Sequence, residues 1–127
     1  MAYPIKDLPT NAAERALRVL GGRWKPMILY HLISGPKRLS ELKRLVPKVS
    51  QKVLIQQLRE MEEHGIAHRQ LFAQMPPRVH YSATELGKSL KPLLATLCAW
   101  GRRHADELDE LDQLEPCNAA PPQGRGP

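Results

Sequence analysis

The most restrictive feature of this chain is a change of period at Gly65. Before it, apolar residues recur at helical spacing; after it, apolar and polar residues alternate. Ser40 is placed to cap a short helix, Glu41 to Val46, with Leu42 and Leu45 inward. Pro47-Lys48-Val49 makes a three-residue turn, and Ser50 caps a longer helix running from Gln51 to His64. The inward residues of that helix, Leu54, Leu58 and Met61, are spaced four and three apart. Its other face shows Gln51, Lys52, Ile55, Gln56 and Arg59. Beyond Gly65, Val79, Tyr81 and Ala83 alternate with Arg78, His80 and Ser82, the mark of a half-buried strand. Ile66 to Phe72 tolerates strand geometry, and the two prolines of the intervening Ala73-Gln74-Met75-Pro76-Pro77 cannot join a ladder. Two helices about a tight turn, then a hairpin with a stiff tip, predict a helix-turn-helix with a wing. The expected class is α+β, mainly α.

The flanking segments complete the core. Asn11 caps a helix with Glu14 three residues on; Ala16, Leu17, Val19 and Leu20 give it an apolar face, and Gly21-Gly22 closes it in the left-handed conformation. Trp24 opens a nearly all-apolar second helix, with Pro26 in its first turn and Ser34-Gly35-Pro36 after it. Thr84 caps a last helix, about residues 84–115, which Pro92 should bend or weaken near its start. Along it, Leu90, Leu94, Leu97, Gly101, His104, Leu108 and Leu111 repeat at four and three, a heptad seam interrupted at Gly101 and His104. Part of this seam should pack on the second helix, and the remainder calls for a second copy and a symmetric dimer. With Cys98, these residues form the expected dimer interface. The expected organisation is an arm at 1–10, one domain at 11–115, and a disordered tail at 116–127 with four prolines and two glycines.

Charge is polarised. From Arg15 to Arg59 eleven cations face only Glu41, giving this stretch +10, while His104 to Glu115 holds six acids and no Lys or Arg. One end suits a polyanion and the other repels it. The acidic end is expected to sit away from nucleic acid, at or beyond the dimer axis. No apolar run approaches a membrane span and no secretory signal opens the chain, so a soluble cytoplasmic protein is the default. Two cysteines, Cys98 and Cys117, are too few for a disulfide framework. No phosphate loop, catalytic triad context or paired carboxylates stand out, so no enzyme and no cofactor are expected. Of the five histidines, His64 and His68 straddle Gly65 and share no helical face, so no metal site is expected either.

Seven segments, in order, are Glu14-Arg15-Ala16-Leu17, Gly21-Gly22-Arg23-Trp24-Lys25, Ser50-Gln51-Lys52-Val53-Leu54, Gln56-Gln57-Leu58-Arg59-Glu60, Pro76-Pro77-Arg78-Val79-His80-Tyr81-Ser82, Thr84-Glu85-Leu86-Gly87 and Trp100-Gly101. Together they resemble the HxlR-type winged helix-turn-helix transcriptional regulators, which are related to the MarR type. The resemblance spans roughly Asn11 to Gly101. It implies a cytoplasmic, dimeric, DNA-binding regulator, of the kind that often controls stress or metabolic genes.

The residues suit that role. The helix from Ser50 would enter the major groove N-terminus first, and Gln51, Lys52 and Gln56 carry the polar ends that read base edges. Lys37, Arg38, Lys43, Arg44, Lys48 and Arg59 would mostly meet phosphates, and Arg78 would reach an adjacent minor groove or the backbone. The expected function is a dimeric repressor on an inverted-repeat operator, with double-stranded DNA as partner. Two alternatives stay open: a winged-helix module that binds an acidic protein, and a sensor with a small-molecule effector in a pocket lined by Trp24, Tyr30 or Trp100. Several members of the family carry a sensing cysteine just before the first helix. Asn11 stands there instead, so that chemistry does not carry over. Cys98, beside Leu97, reads as a small buried apolar residue.

Overall fold

The computed structural model describes residues 8–115. In chain order these form α1 (Ala12–Leu20), α2 (Lys25–Ile33), β1 (Lys37–Arg38), α3 (Leu39–Leu45), α4 (Gln51–Glu63), β2 (Ala67–Phe72), β3 (Arg78–Ala83), α5 (Glu85–Lys88) and α6 (Lys91–Glu107). The first seven residues and residues 116–127, where the expected tail and Cys117 fall, lie outside the described residues.

Helix α2 is the centre. Its Ile28, Leu29 and Leu32 are fully buried and meet Leu42 of α3, Leu54, Leu58 and Met61 of α4, and Val46 and Val49 of the turn. Those last two valines explain the turn between the helices: both side chains are buried, while Pro47 and Lys48 between them stay exposed. Ser50 caps α4 as its position predicts, its Oγ accepting from Val53 N–H at 3.2 Å. At the other end Gly65, at φ 77°, closes α4: Gly65 N–H donates to Glu62 O and Ile66 N–H to Met61 O, each at 3.0 Å. That is the Schellman arrangement, and the positive φ requires glycine.

The chain then turns directly into the sheet. Strands β2 and β3 pair antiparallel from Ala67↔Ala83 to Phe72↔Arg78. The sheet has a third strand that the alternation did not announce. β1 lies on the other side of β3, with Lys37 opposite Tyr81 and Arg38 opposite His80. Two residues are too few to leave a period in the sequence.

The termini of several elements differ from expectation. Helix α3 starts earlier: Arg38 is its N-cap residue, Ser40 is inside it, and Glu41 Oε1 accepts from Arg38 N–H at 2.7 Å. The carboxylate reaching back satisfies the amide of the N-cap residue itself, one turn before it. At the end of α1, Asn11 caps by accepting from Glu14 N–H at 3.0 Å, but Gly21 is extended and the positive φ falls on Gly22, at 95°.

The last helix is two. Thr84 caps α5, which lasts four residues before the chain restarts as α6 with Pro92 at its second position. Proline there lacks an N–H that has no helical acceptor anyway, so it starts a helix instead of bending one. Helix α6 ends at Glu107, Asp109 takes φ 58°, and Leu111–Gln113 form a separate 3₁₀ turn. The heptad spacing therefore does not run on one helix: Leu90 precedes α6, and Leu108 and Leu111 follow it. Among the described residues no helix is long and apolar enough to cross a membrane.

Candidate nucleic-acid interface

Helix α4 presents its face by elementary geometry. Leu54, Leu58 and Met61 occupy one side at steps of four and three, so Lys52, Gln56 and Arg59 share the other. Gln51, Lys52 and Arg59 are exposed, and Ile55 and Gln56 are half-buried. Around them Arg38, Arg44, Lys48 and Ser50 are exposed, and Lys37 and Lys43 half-buried. The turn and the α4 N-terminus thus bring together cations from α3, α4 and β1.

Several of these cations hold local structure. Lys43 Nζ donates to Pro47 O at 2.9 Å, across the turn, and Lys37 Nζ donates to Ser34 Oγ at 3.1 Å and Gly35 O at 3.0 Å. Arg44, Lys52 and Arg59 make no salt bridge among the described residues. Glu41, the single acid between Arg15 and Arg59, is held on the backbone of Arg38. On the wing, Met75 is 92% exposed at the tip, and Arg78 is half-buried with its Nε lacking a hydrogen-bond partner. Arg69, exposed on β2 and 3.9 Å from Glu62, adds a cation that the weak alternation of its strand left unremarked.

Two expectations about charge are corrected. Lys25, counted in the basic run, is buried: its Nζ donates to Glu60 Oε1 at 2.5 Å, and it contributes nothing to a surface. The acidic end does not keep away from the basic face. Glu115 Oε2 accepts from Lys48 Nζ at 2.9 Å, and this hydrogen bond lowers the Glu115 carboxyl below its usual range. Both side chains are about two-thirds exposed, so the contact is weak in stability.

The expected dimer residues also divide. Leu90 and Leu94 pack against the protein's own core. Cys98 and Gly101 are half-buried on α6, and His104 is exposed and stacked on Trp100 with ring centroids 5.1 Å apart. Leu97, Leu108 and Leu111 are exposed. Cys98 is a disulfide cysteine and not the inert apolar thiol that its neighbours suggested. The exposed apolar stripe of α6 is Leu93, Leu97 and Trp100, four and three apart, and Leu17 of α1 stands 67% exposed. A groove of about 380 Å³ between α1 and α6 is lined by Ala13, Leu17, Leu93 and Leu97.

Of the three aromatics expected to line a pocket, only Tyr30 lines the groove between α2 and α6, which measures about 370 Å³. Trp24 lines a separate cavity beside Lys48, and Trp100 is 63% exposed. Among the described residues no group of three His, Cys, Asp or Glu is placed to hold a metal.

The family model for HxlR-like helix-turn-helix proteins matches residues 19–109. The chain belongs to this family. It is a DNA-binding transcriptional regulator of the helix-turn-helix type, as the resemblance implied. The HTH-type transcriptional regulator YkvN of Bacillus subtilis is 55% identical over 94 residues, which are 74% of this chain and 80% of YkvN. The crystal structure of the HTH-type transcriptional regulator YtcD superposes with TM-score 0.72 at 48% identity, covering 76% of this chain and 99% of that one. The redox regulator HypR in its reduced form gives TM-score 0.73 at 42% identity over 78% of this chain and 98% of its own. The two superposed structures thus share the fold of this HxlR-like chain over about three quarters of its length.

Proposed function

We propose that this HxlR-like protein is a homodimeric repressor that occupies an inverted-repeat operator, with half-sites about one helical turn apart. The observation that carries the reading is the concentration of exposed Arg38, Arg44, Lys48, Lys52 and Arg59 around the start of α4, where Glu41 is engaged on a backbone amide and Lys48 alone of the five forms a salt bridge among the described residues, with Glu115. Helix α4 enters the major groove from Ser50, with Gln51, Lys52 and Gln56 against base edges. Lys37, Arg38, Lys43, Arg44, Lys48 and Arg59 meet phosphates, and Arg78 follows the wing to the adjacent backbone or minor groove. The second copy covers Leu17, Leu93, Leu97 and Trp100, an apolar face larger than single scattered surface residues account for. Soluble, cytoplasmic action follows from this role.

The test is affinity for the protein's own upstream DNA against salt. Release of counterions from six or more phosphates gives a steep negative slope, and specific binding exceeds that to random duplex by about 10³ or more. A flat salt dependence, or equal affinity for random sequence, removes the proposal.

A ligand-responsive version is favoured by the groove between α2 and α6. Its lining includes Met27, Tyr30, Leu94 and Leu97, with Arg23 and Lys91 as its only charged residues. A small amphipathic acid seated there would bear on both the winged core and α6, and so on half-site spacing. Stabilisation on adding such acids tests it; an unmoved melting temperature at ligand concentrations up to about 1 mM sinks it.

A further inference from the structure

Glu60 lies on α4 one turn beyond Gln56, and its carboxylate serves two elements. Oε1 accepts from Lys25 Nζ of α2 at 2.5 Å, and Oε2 accepts a long hydrogen bond from Gln56 Nε2 at 3.5 Å. The side chains of Lys25 and Glu60 are only 9% and 11% exposed, so the negative charge beside Gln56 is fixed in place and little screened by salt.

A carboxylate only accepts. The Gln56 amide must therefore turn its nitrogen inward toward Glu60, which leaves the carbonyl Oε1 facing away. The N–H on the same side as that oxygen is also available. An acceptor beside a donor is the edge that pairs with adenine, whose amino group donates and whose N7 accepts. Guanine offers two acceptors, N7 and O6, and would need the amide reversed. Reversal would set the Gln56 oxygen against the Glu60 carboxylate, two acceptors with no proton between them.

We propose that Glu60, anchored by Lys25, is a positioning residue for specificity: it orients the Gln56 amide so that α4 selects adenine and rejects guanine at one base pair of each half-site. The inference rests on the reading that α4 enters the major groove. Glu60 itself is buried and touches no base.

The experiment is selection from a randomised duplex library by the full-length protein and three variants. These are Gln56→Ala, Glu60→Gln and the double variant Lys25→Met/Glu60→Leu, each first checked for cooperative unfolding. Glu60→Gln keeps the shape and an acceptor for Lys25 but can donate to a reversed Gln56; the double variant removes the buried charges altogether. The position where Gln56→Ala loses its preference identifies the base pair. There the native protein should favour adenine over guanine by about tenfold or more. In either Glu60 variant the ratio should fall to within about threefold of unity, with affinity for the rest of the site retained.

Guanine as the native choice at that pair overturns the proposal. So does an unchanged adenine preference in the folded Glu60 variants while Gln56→Ala loses it, and this result leaves the groove assignment standing. If Gln56→Ala selects the same sequences as the native protein, the groove assignment of Gln56 itself fails. A native protein that enriches no sequence overturns both.

Discussion

Lys25 Nζ and Glu60 Oε1 sit 2.5 Å apart between α2 and α4, in side chains that are about a tenth exposed. A buried pair of this kind is not a large source of stability, but losing one partner strands a charge. Lys25→Ala should therefore destabilise the protein by about 3–5 kcal/mol, whereas Lys25→Met/Glu60→Leu should recover most of that loss. Urea unfolding checks it: the midpoint should drop in the single variant at unchanged slope and return in the double.

His64, the C-cap residue of α4, is buried near this pair, with Nδ1 lacking a hydrogen-bond partner. Burial first, and then the Lys25 ammonium, push its pKa below the ordinary 6.5. The unfolded chain takes up this proton more readily than the folded one. The stability that neutral His64 preserves is thus complete above about pH 6.5 and declines as pH falls toward the lowered folded value. His64→Gln should flatten the pH dependence of the melting temperature in that interval. An equal decline in native protein and variant would assign the effect elsewhere.

Two glycines should respond in opposite directions to alanine. A Cβ on Gly87 would stand 2.1 Å from Ile66 O, which is backbone held by Thr84 N–H. Neither element can retreat without breaking the junction between α4, β3 and α5, so Gly87→Ala should cost about 3 kcal/mol. Gly101, mid-way along α6, has nothing within 4 Å of such a Cβ. Gly101→Ala should raise stability by about 0.5–1 kcal/mol, read from the shift in unfolding midpoint.

Arg44→Ala and Gln56→Ala should separate two kinds of contact. Arg44 is exposed on α3 and makes no salt bridge among the described residues, so its removal should weaken binding to all duplexes alike and reduce the salt slope by about 1. Gln56→Ala should instead change which base pair is preferred. Identical behaviour of the two in a binding series at several salt concentrations would show that α4 does not face the groove.

Trp100→Glu and Leu90→Glu should also part. Trp100 is 63% exposed, so the first variant should remain folded and sediment as a single subunit at micromolar concentration. Leu90 packs on the core, so the second should lose the fold itself. A native protein that is already monomeric would remove the dimer from the proposed function.

What could be read from the sequence was whatever repeats over several turns. The inward side of α4, its Ser50 cap and Gly65 stop, and the alternation of β3 all appear as written, because period and end signals are local properties of the chain. Ser40 failed as a cap because the helix begins before it, at Leu39, with Glu41 reaching back to the amide of Arg38. The seam from Leu90 to Leu111 failed because heptad spacing is indifferent to a helix that stops and restarts; Pro92 marked the restart, but a first-turn proline and a kinking one look alike in sequence. Lys25 and Glu60 are 35 residues apart, and nothing local marks either as buried. The pairing of β1 with β3, and the return of Glu115 to Lys48, are likewise tertiary facts.

The two-residue strand β1 has a mechanical implication. Through Lys37 and Arg38 the backbone of β3 is laced to the residue that begins α3. The hairpin is thus no free-swinging flap. A force applied at Met75 travels along β3 into the root of α3 and the bend ahead of α4. Fingertip and blade answer as one lever, so a duplex that displaced the first would also tilt the second.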